Sequence, residues 1–397
     1  MTSEQKKKKL GLVPRLIIAI ILGIIAGQLS FIPEWFLRAF ITFSAIFSSF
    51  LNFVIPFMII GLVIKGIADL SDGAGRLLGI TALTSYISTL IAGSIAYTTA
   101  ITLFPHFITD DLVQKLNEAG EGLTPIFEIP LEPFFDVTGA IIFAFMMGLG
   151  ISWLRQKGQG EALYEVFSDF GEVITQVLAT VVIPLLPIYI FGNFANLSYT
   201  GSVFTILGVF WKVFIVVIIL HLLYISAMFV VAGLYAGKNP IQLIKNQIPG
   251  YITAVGTQSS AATIPVNIEC AEKNGVSEDI RNFVVPLCAT IHLAGSMITI
   301  TCCSMTLLLM YDMPHPFSMM LGFIMMLGIA MVAAPGAPGG AIMSALPFLP
   351  MVGIVSDSMQ QLMISLYITQ DSFGTAANVS GDNAIAVFID KLHQDKK

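Results

Sequence analysis

The chain has 397 residues, of which 56% are apolar and only 11% charged, with a mean hydropathy of +0.85 and a formal charge of -6. A water-soluble core cannot hide that much apolar surface, so composition excludes a soluble enzyme and points to a chain that crosses a bilayer repeatedly. The small net charge says little about partners beyond the bilayer itself, and no nucleic acid is expected among them.

A helix needs about 20 mostly apolar residues to cross the hydrocarbon, and such stretches recur at 12-33, 36-66, 77-104, 137-155, 162-196 and 203-236. Further apolar segments run over 246-271, 283-311, 317-356 and 358-390. The first run continues past Leu29 without an A-x-A-like cleavage site, so it reads as a span and not as a signal peptide. Several runs exceed the length of a crossing, which implies tilt or kinks. Lys6 to Lys9 and Arg15 put the N-terminus in the cytoplasm by the positive-inside rule. Alternation then leaves Lys65, Arg76, Arg155, Lys157, Lys238, Lys245, Lys273, Arg281, Lys391, Lys396 and Lys397 at cytoplasmic ends, with Arg38 the exception. Both termini are therefore expected in the cytoplasm. The outer loop 105-136 carries Asp110, Asp111, Glu118, Glu121, Glu128, Glu132 and Asp136 against Lys115 and reads as a solvated face.

The charge bias holds only if 246-271 and 317-356 each enter and leave on one side. Both have the marks of re-entrant hairpins, tolerated at membrane depth where the broken backbone faces protein or a watery cavity. One breaks at Gly256-Thr257-Gln258-Ser259-Ser260, the other at Pro335-Gly336-Ala337-Pro338-Gly339-Gly340, where prolines and glycines cannot continue a helix. Paired interrupted segments point to a transporter's binding site. Two proline-kinked spans are the alternative.

The strongest chemistry lies between Asp371 and Asp382. At 100° per residue, Asp371, Thr375, Asn378 and Asp382 fall at about 0°, 40°, -20° and 20°, a single polar stripe on an apolar span. Each carboxylate costs roughly 2.5 to 3.5 kcal/mol near the bilayer centre, yet no Lys or Arg occurs between Arg281 and Lys391. A cation or a substrate ammonium is the expected counter-charge, and oxygen ligands suit a hard ion such as sodium. A structural ion pair, for which Lys212 is a candidate, is the other reading. Upstream, Gly295 within Pro286 to Ser296 suggests an unwound turn with carbonyls aimed at a ligand, although small residues also serve helix packing. His292 is open to three roles: proton carrier, ligand, or a histidine satisfied by a neighbouring carbonyl. Cys270, Cys288, Cys302 and Cys303 lack metal-ligand spacing and read as free thiols.

In order and content these motifs resemble the dicarboxylate/amino acid:cation symporter family, which includes the glutamate and neutral amino-acid transporters. Thr257 to Val266 is similar to the serine-rich first-hairpin tip, and Ala289 to Ser296 stands in place of the family's Asn-Met-Asp-Gly-Thr motif. Ala334 to Met343 resembles the glycine-rich second tip, and Asp371 to Asp382 the last-span signature. The resemblance implies an all-α polytopic membrane protein with about eight transmembrane helices and two re-entrant hairpins in an inverted-repeat transporter fold. It also implies a homotrimer in a prokaryotic plasma membrane, with a scaffold over 12-66 and 137-196 and a transport part over 77-104 and 203-392.

Carried over by position, Ser259, Ser260 and the second tip at Ala337, Pro338 and Gly339 hold a substrate carboxylate. Asp371 takes the ammonium, while Ser296, Gly374, Thr375 and Asn378 line the pocket. One sodium falls to Asp382 with carbonyls that include those of Cys288, His292 and Asn378. A second falls to Thr290 with carbonyls of the second hairpin at Val332 and Ala334.

Three departures shape the functional expectation. Members of the family that carry acidic substrates have an arginine where this chain has Gly374, and the archaeal-type first-hairpin arginine is replaced by Gln258. Ala294 and His292 replace the Asp and Asn that help hold a further sodium, as Ala does in the serine/threonine branch. The resemblance therefore implies sodium-coupled symport of a small neutral amino acid such as serine, threonine or alanine by alternating access, with two sodium ions and no organic cofactor. The alternative within transport is an acidic amino-acid or dicarboxylate symporter that draws its basic group from Lys212 or His292 and couples to protons. An intramembrane serine hydrolase lacks a G-x-S-x-G elbow or an S-x-x-K pair, and a passive channel has no need of a carboxylate stripe.

Overall fold

The computed structural model describes residues 12-70, 76-117, 122-135, 137-331 and 338-394. Lys6 to Lys9, Glu118, Glu121, Asp136, Val332, Ala334, Pro335, Gly336, Ala337, Lys396 and Lys397 lie outside them. Among the described residues every regular element is a helix, as backbone groups in hydrocarbon require. Among the described residues five stretches are long and apolar enough to cross a membrane: Glu34–Lys65, Leu77–His106, Glu161–Tyr199, Val203–Ala236 and Glu278–Met310. Shorter apolar helices are Pro14–Gln28, Ile142–Arg155, Phe317–Ala330 and Gly340–Val352.

One group of helices comprises α1 (Leu12–Gln28), α2 (Glu34–Leu70), α5 (Val137–Arg155), α6 (Glu161–Val177) and α7 (Ile183–Tyr199). α1 packs along α7 so closely that a Cβ on Gly23 would stand 2.7 Å from the Phe191 carbonyl. Small residues permit this approach where lipid offers no hydrophobic drive. Arg38, the exception to the expected charge bias, donates to the carbonyls of Thr124 (3.0 Å) and Pro125 (3.4 Å) and so ties α2 to the segment 122-135. The short α4 (Asp110–Asn117) follows α3 (Arg76–Leu103).

The second group surrounds α16 (Asp371–Gln394), against which α8 (Val203–Ala236), α9 (Pro240–Thr257), α10 (Ser260–Lys273), α11 (Glu278–Ile291) and α12 (Ala294–Met310) all pack. α3 lies across α12 and α13 (Phe317–Ala330). α9 and α10 form an antiparallel pair, wider than the expected 246-271. Asn239 caps α9, its side-chain oxygen accepting from the N–H of Ile241 (3.0 Å), with Pro240 at the first helical position. The turn is Gln258-Ser259. Gln258 is left-handed, with φ of 55°, and Ser259 Oγ accepts from the N–H of Ala262. Gly256 and Thr257, expected in the break, are still helical. At the base, Lys238 Nζ donates to the carbonyls of Asn274 (2.7 Å) and Gly275 (2.9 Å), closing the C-terminal end of α10. Partial burial pulls that ammonium down from its usual range, and Asp390 acts in the opposite direction.

The second interrupted segment has arms α13 and α14 (Gly340–Ala345), the latter extended by a 3-10 turn at Leu346–Val352 that packs back on α13. The expected continuous last span is in fact two helices, α15 (Asp357–Ile368) and α16, separated by Thr369-Gln370. Asp371 therefore opens a helix and does not sit in mid-span. The unwound turn expected at Gly295 lies two residues earlier, at His292-Leu293, and Gly295 is helical.

Candidate functional site

The helical period places Asp371, Thr375, Asn378 and Asp382 on one face of α16, and the structure buries all four. Asp371, Asn378 and Asp382 make different uses of their positions. Asp371, 4% exposed, accepts from the Gly339 N–H through Oδ2 (2.7 Å) and from the Tyr367 hydroxyl through Oδ1 (2.9 Å). The tip of the second interrupted segment is thus fastened to the carboxylate. Tyr367 Oη also lies 3.3 Å from Ser296 Oγ, which in turn accepts from Asn378 Nδ2 (3.0 Å).

Asn378 does a second job. Its Oδ1 accepts from the N–H groups of Gly295 (2.8 Å) and Ser296 (3.2 Å), donors at the start of α12 that have no partner inside their own helix. The break at His292-Leu293 is stable because its cap comes from a different helix. Gly295 makes the approach possible: a Cβ there would collide with the Gly374 carbonyl and stand 2.5 Å from the Ala377 Cβ.

Asp382 lies in a second polar centre. Its Oδ1 is 2.9 Å from His292 Nδ1, and His292 Nε2 is 3.0 Å from Ser88 Oγ on α3. The Tyr224 hydroxyl, on α8, donates to the Ser88 carbonyl (2.6 Å) and touches Ser88 Oγ (2.8 Å). An apolar groove of about 330 Å³ between α3, α8 and α16 has Ser88, Tyr224 and Met228 in its wall. A Cβ on Gly381 would strike the imidazole, so glycine there lets the ring approach α16. Asp382 Oδ2 is buried without a hydrogen-bond partner among the described residues. An ionised oxygen in that position is costly unless a cation meets it, so this carboxylate fits a sodium ion.

The remaining expected residues are placed as follows. Ser260 is buried and Ser259 half-buried at the tip of the α9–α10 pair, where Ala254 packs on Ala376 and Val379 of α16. Pro338 and Gly339 precede α14. The Cys288 carbonyl accepts from the His292 N–H (2.8 Å), and its thiol lies 3.5 Å from Ser85 Oγ. Thr290 is exposed and its hydroxyl donates to Leu287 of its own helix (2.8 Å), so the structure does not bring its side chain to either carboxylate. Lys212 is exposed, its Nζ 5.7 Å from the centre of the Phe107 ring, and pairs with neither Asp371 nor Asp382. All four cysteines are free and buried.

Sequence reading missed three features. Tyr367 bonds Asp371. His221, on α8, places Nε2 2.9 Å from the Gly295 carbonyl and 3.1 Å from Thr299 Oγ1. The third is a ladder of amides. Gln247 Nε2 donates to Asn267 Oδ1 (3.0 Å), Asn267 Nδ2 to the Val379 carbonyl (2.9 Å), Asn383 Nδ2 to Asn267 Oδ1 (3.3 Å) and Asn274 Nδ2 to Asn383 Oδ1 (3.0 Å). It binds the α9–α10 pair to α16 along its length.

Two buried carboxylates, one fastened to the backbone that leads into α14 and one with an orphaned oxygen, form the kind of site that carries charged cargo through a bilayer. The family model for sodium:dicarboxylate symporters matches residues 12–392. The chain belongs to the sodium:dicarboxylate symporter family. This symporter is 28% identical to the serine/threonine transporter SstT of Acinetobacter baylyi, over 96% of this chain and 98% of the relative. It is 26% identical to the SstT of Enterococcus faecalis, over 94% and 90%. Against excitatory amino acid transporter 1 of Bos taurus it is 27% identical, over 71% of this chain and 53% of the relative. It is a polytopic, cation-coupled membrane transporter and not an enzyme.

Proposed function

We propose that this symporter moves serine, threonine or a similarly small neutral amino acid with sodium, by alternating access. The observation that carries the reading is Gly374. An acidic side chain in a site shielded from water needs a fork of donors, and here the position one turn beyond Asp371 has no side chain. No Lys or Arg occurs from 282 to 390, and Lys212 lies elsewhere. The full-length likeness to transporters named for serine and threonine supports the same reading.

In this reading Asp371 takes the substrate ammonium in exchange for the Gly339 N–H, Ser259, Ser260, Ala337, Pro338 and Gly339 meet its carboxylate, and Ser296 lines the pocket. Gly374, Thr375 and Asn378 line the pocket. Asp382 holds one sodium with carbonyls of Cys288, His292 and Asn378. Thr290 offers its carbonyl to a second with Val332 and Ala334. The helices around α16, with both hairpins, form the part that moves, and α1, α2 and α5 to α7 a trimer-forming scaffold. The protein lies in a prokaryotic plasma membrane with both termini in the cytoplasm.

The test is radiolabelled uptake into proteoliposomes under imposed sodium or proton gradients, with unlabelled serine, threonine, alanine, aspartate and succinate as competitors. Sodium-driven uptake displaced best by the neutral amino acids is expected. Displacement best by aspartate or succinate overturns the reading.

A further inference from the structure

A hydroxyl on a helix commonly spends its proton on the carbonyl one turn back. On α3, Thr81, Thr89, Ser94 and Thr98 all do so, at 2.8 to 2.9 Å. Ser88 turns the other way. Its Oγ stands between His292 Nε2 (3.0 Å) and the Tyr224 hydroxyl (2.8 Å), and that same tyrosine donates to the Ser88 carbonyl (2.6 Å). A residue of α8 therefore holds the residue of α3 that meets the ring.

The ring is fully buried and makes its other polar contact, through Nδ1, with Asp382 Oδ1 (2.9 Å) on α16. Cε1, the carbon between the two nitrogens, lies against Gly381, where a Cβ would strike it. An imidazole bonded at one nitrogen can swing about that bond, whereas one bonded at both, to two different helices, turns only by breaking one of them. The serine hydroxyl both gives and accepts, so it meets Nε2 whether or not that nitrogen carries a proton. Unpinned, a ring N–H would reach for either oxygen of Asp382 and compete with an ion for Oδ2, which has no hydrogen-bond partner among the described residues. We propose that Ser88 and Tyr224 are positioning residues of the ion site: they hold the His292 ring on Asp382 Oδ1 and so keep Oδ2 open to sodium. The proposal rests on the reading that Asp382 holds sodium and deepens it. Neither hydroxyl touches the ion, yet both set how tightly it is held.

The test titrates sodium into purified, substrate-free protein while following the ¹⁵N resonances of the His292 ring, beside sodium titrations of labelled-serine uptake in proteoliposomes. Ser88→Ala is expected to raise the sodium midpoint about three- to tenfold, the weight of one hydrogen bond, with the maximal uptake rate kept. The Nδ1 resonance of the sodium-free protein should move with it, because the far side of the ring has been released. Ser88→Thr keeps the hydroxyl, and its extra methyl has the groove of about 330 Å³ beside it, so both the midpoint and the resonance should return to the native values. Tyr224→Phe should shift the midpoint in the same direction by less. An unchanged midpoint in Ser88→Ala, or a shifted midpoint with the Nδ1 resonance in place, marks a packing role and overturns the proposal. The native protein decides if Ser88→Ala fails to fold: sodium should move both ring nitrogen resonances, and a ring indifferent to sodium is a negative result. Asp382→Asn separates the two possible failures. A shifted midpoint there with none in Ser88→Ala sinks the positioning role alone, whereas an unchanged midpoint in Asp382→Asn sinks the ion-site reading and the proposal with it.

Discussion

Nδ1 of His292 and Oδ1 of Asp382 stand 2.9 Å apart, with neither side chain reaching solvent. The ring occupies one carboxylate oxygen, and the other has no hydrogen-bond partner among the described residues. Replacing the charge should therefore act first on sodium. Asp382→Asn is expected to raise the sodium concentration for half-maximal uptake on the order of tenfold or more, since charge-assisted contacts are worth about 1.5 to 3 kcal/mol. Substrate affinity follows through coupling between the sites. Sodium titrations of uptake in the two proteins decide the matter, and an unchanged half-saturation removes Asp382 from the ion site.

Asp371→Asn should abolish amino-acid binding. The amide can still accept from Gly339 or Tyr367, so the fold is expected to survive, as monodisperse behaviour on size exclusion would report. What is lost is the charge that meets an ammonium group. Tyr367→Phe separates positioning from charge: it frees Oδ1 without neutralising the residue, and a several-fold weakening is expected, on the scale of one hydrogen bond of about 1 kcal/mol. Binding titrations of both variants supply the ranking, and a Tyr367→Phe loss as deep as that of Asp371→Asn would contradict it.

Two glycines facing each other across α12 and α16 should respond unequally to a methyl group. In Gly295→Ala the new carbon has backbone and Ala377 in its way. Loss of folded protein, or a fall in melting temperature matching the roughly 1 to 3 kcal/mol typical of overpacking, is expected. In Gly374→Ala the methyl finds ordinary contact with Thr299, and thermal stability should change little. Gly374→Arg is a different experiment. Its guanidinium would be driven into the Thr299 side, and affinity for serine should fall while aspartate gains on the order of tenfold at about 1.4 kcal/mol per decade.

Asn267 receives from Gln247 and Asn383 and donates to the Val379 carbonyl, all at buried positions. Asn267→Leu would leave several of these groups unpaired, at about 1 to 3 kcal/mol each. The α9–α10 pair should loosen from α16, and a cysteine placed at Thr257 should react faster with a membrane-impermeant thiol reagent than in the parent. Equal reaction rates would show that apolar packing alone holds the pair.

The stripe on α16 was legible because a helix repeats every 3.6 residues, and polar side chains aligned in an apolar run rarely serve anything but a ligand or a buried pair. Its extension to Tyr367 was hidden by the break at Thr369-Gln370, which involves neither glycine nor proline. His221 was within reach: a polar ring inside the apolar run 203-236 is by default functional. The site of the break in the 278-310 helix was not legible, because glycine at 295 suggests unwinding while the actual cap on the first turn is the side chain of Asn378, 82 residues away from Ser296. Local propensity cannot report a cap supplied by another helix. The first turn was placed within two residues, since Ser259 announces a helix start by its own chemistry.

The amide ladder has an electrical consequence. Gln247, Asn267, Asn274 and Asn383 cement the α9–α10 pair to α16 with dipoles alone, so this interface brings no fixed charge into the field of the bilayer. If, as proposed, the helices around α16 move together, the membrane potential acts on the charges they carry, Asp371 and Asp382 among them, at about 2.3 kcal/mol per elementary charge for each 100 mV. Voltage steps applied to the reconstituted protein would read the occupancy of those two carboxylates directly as current.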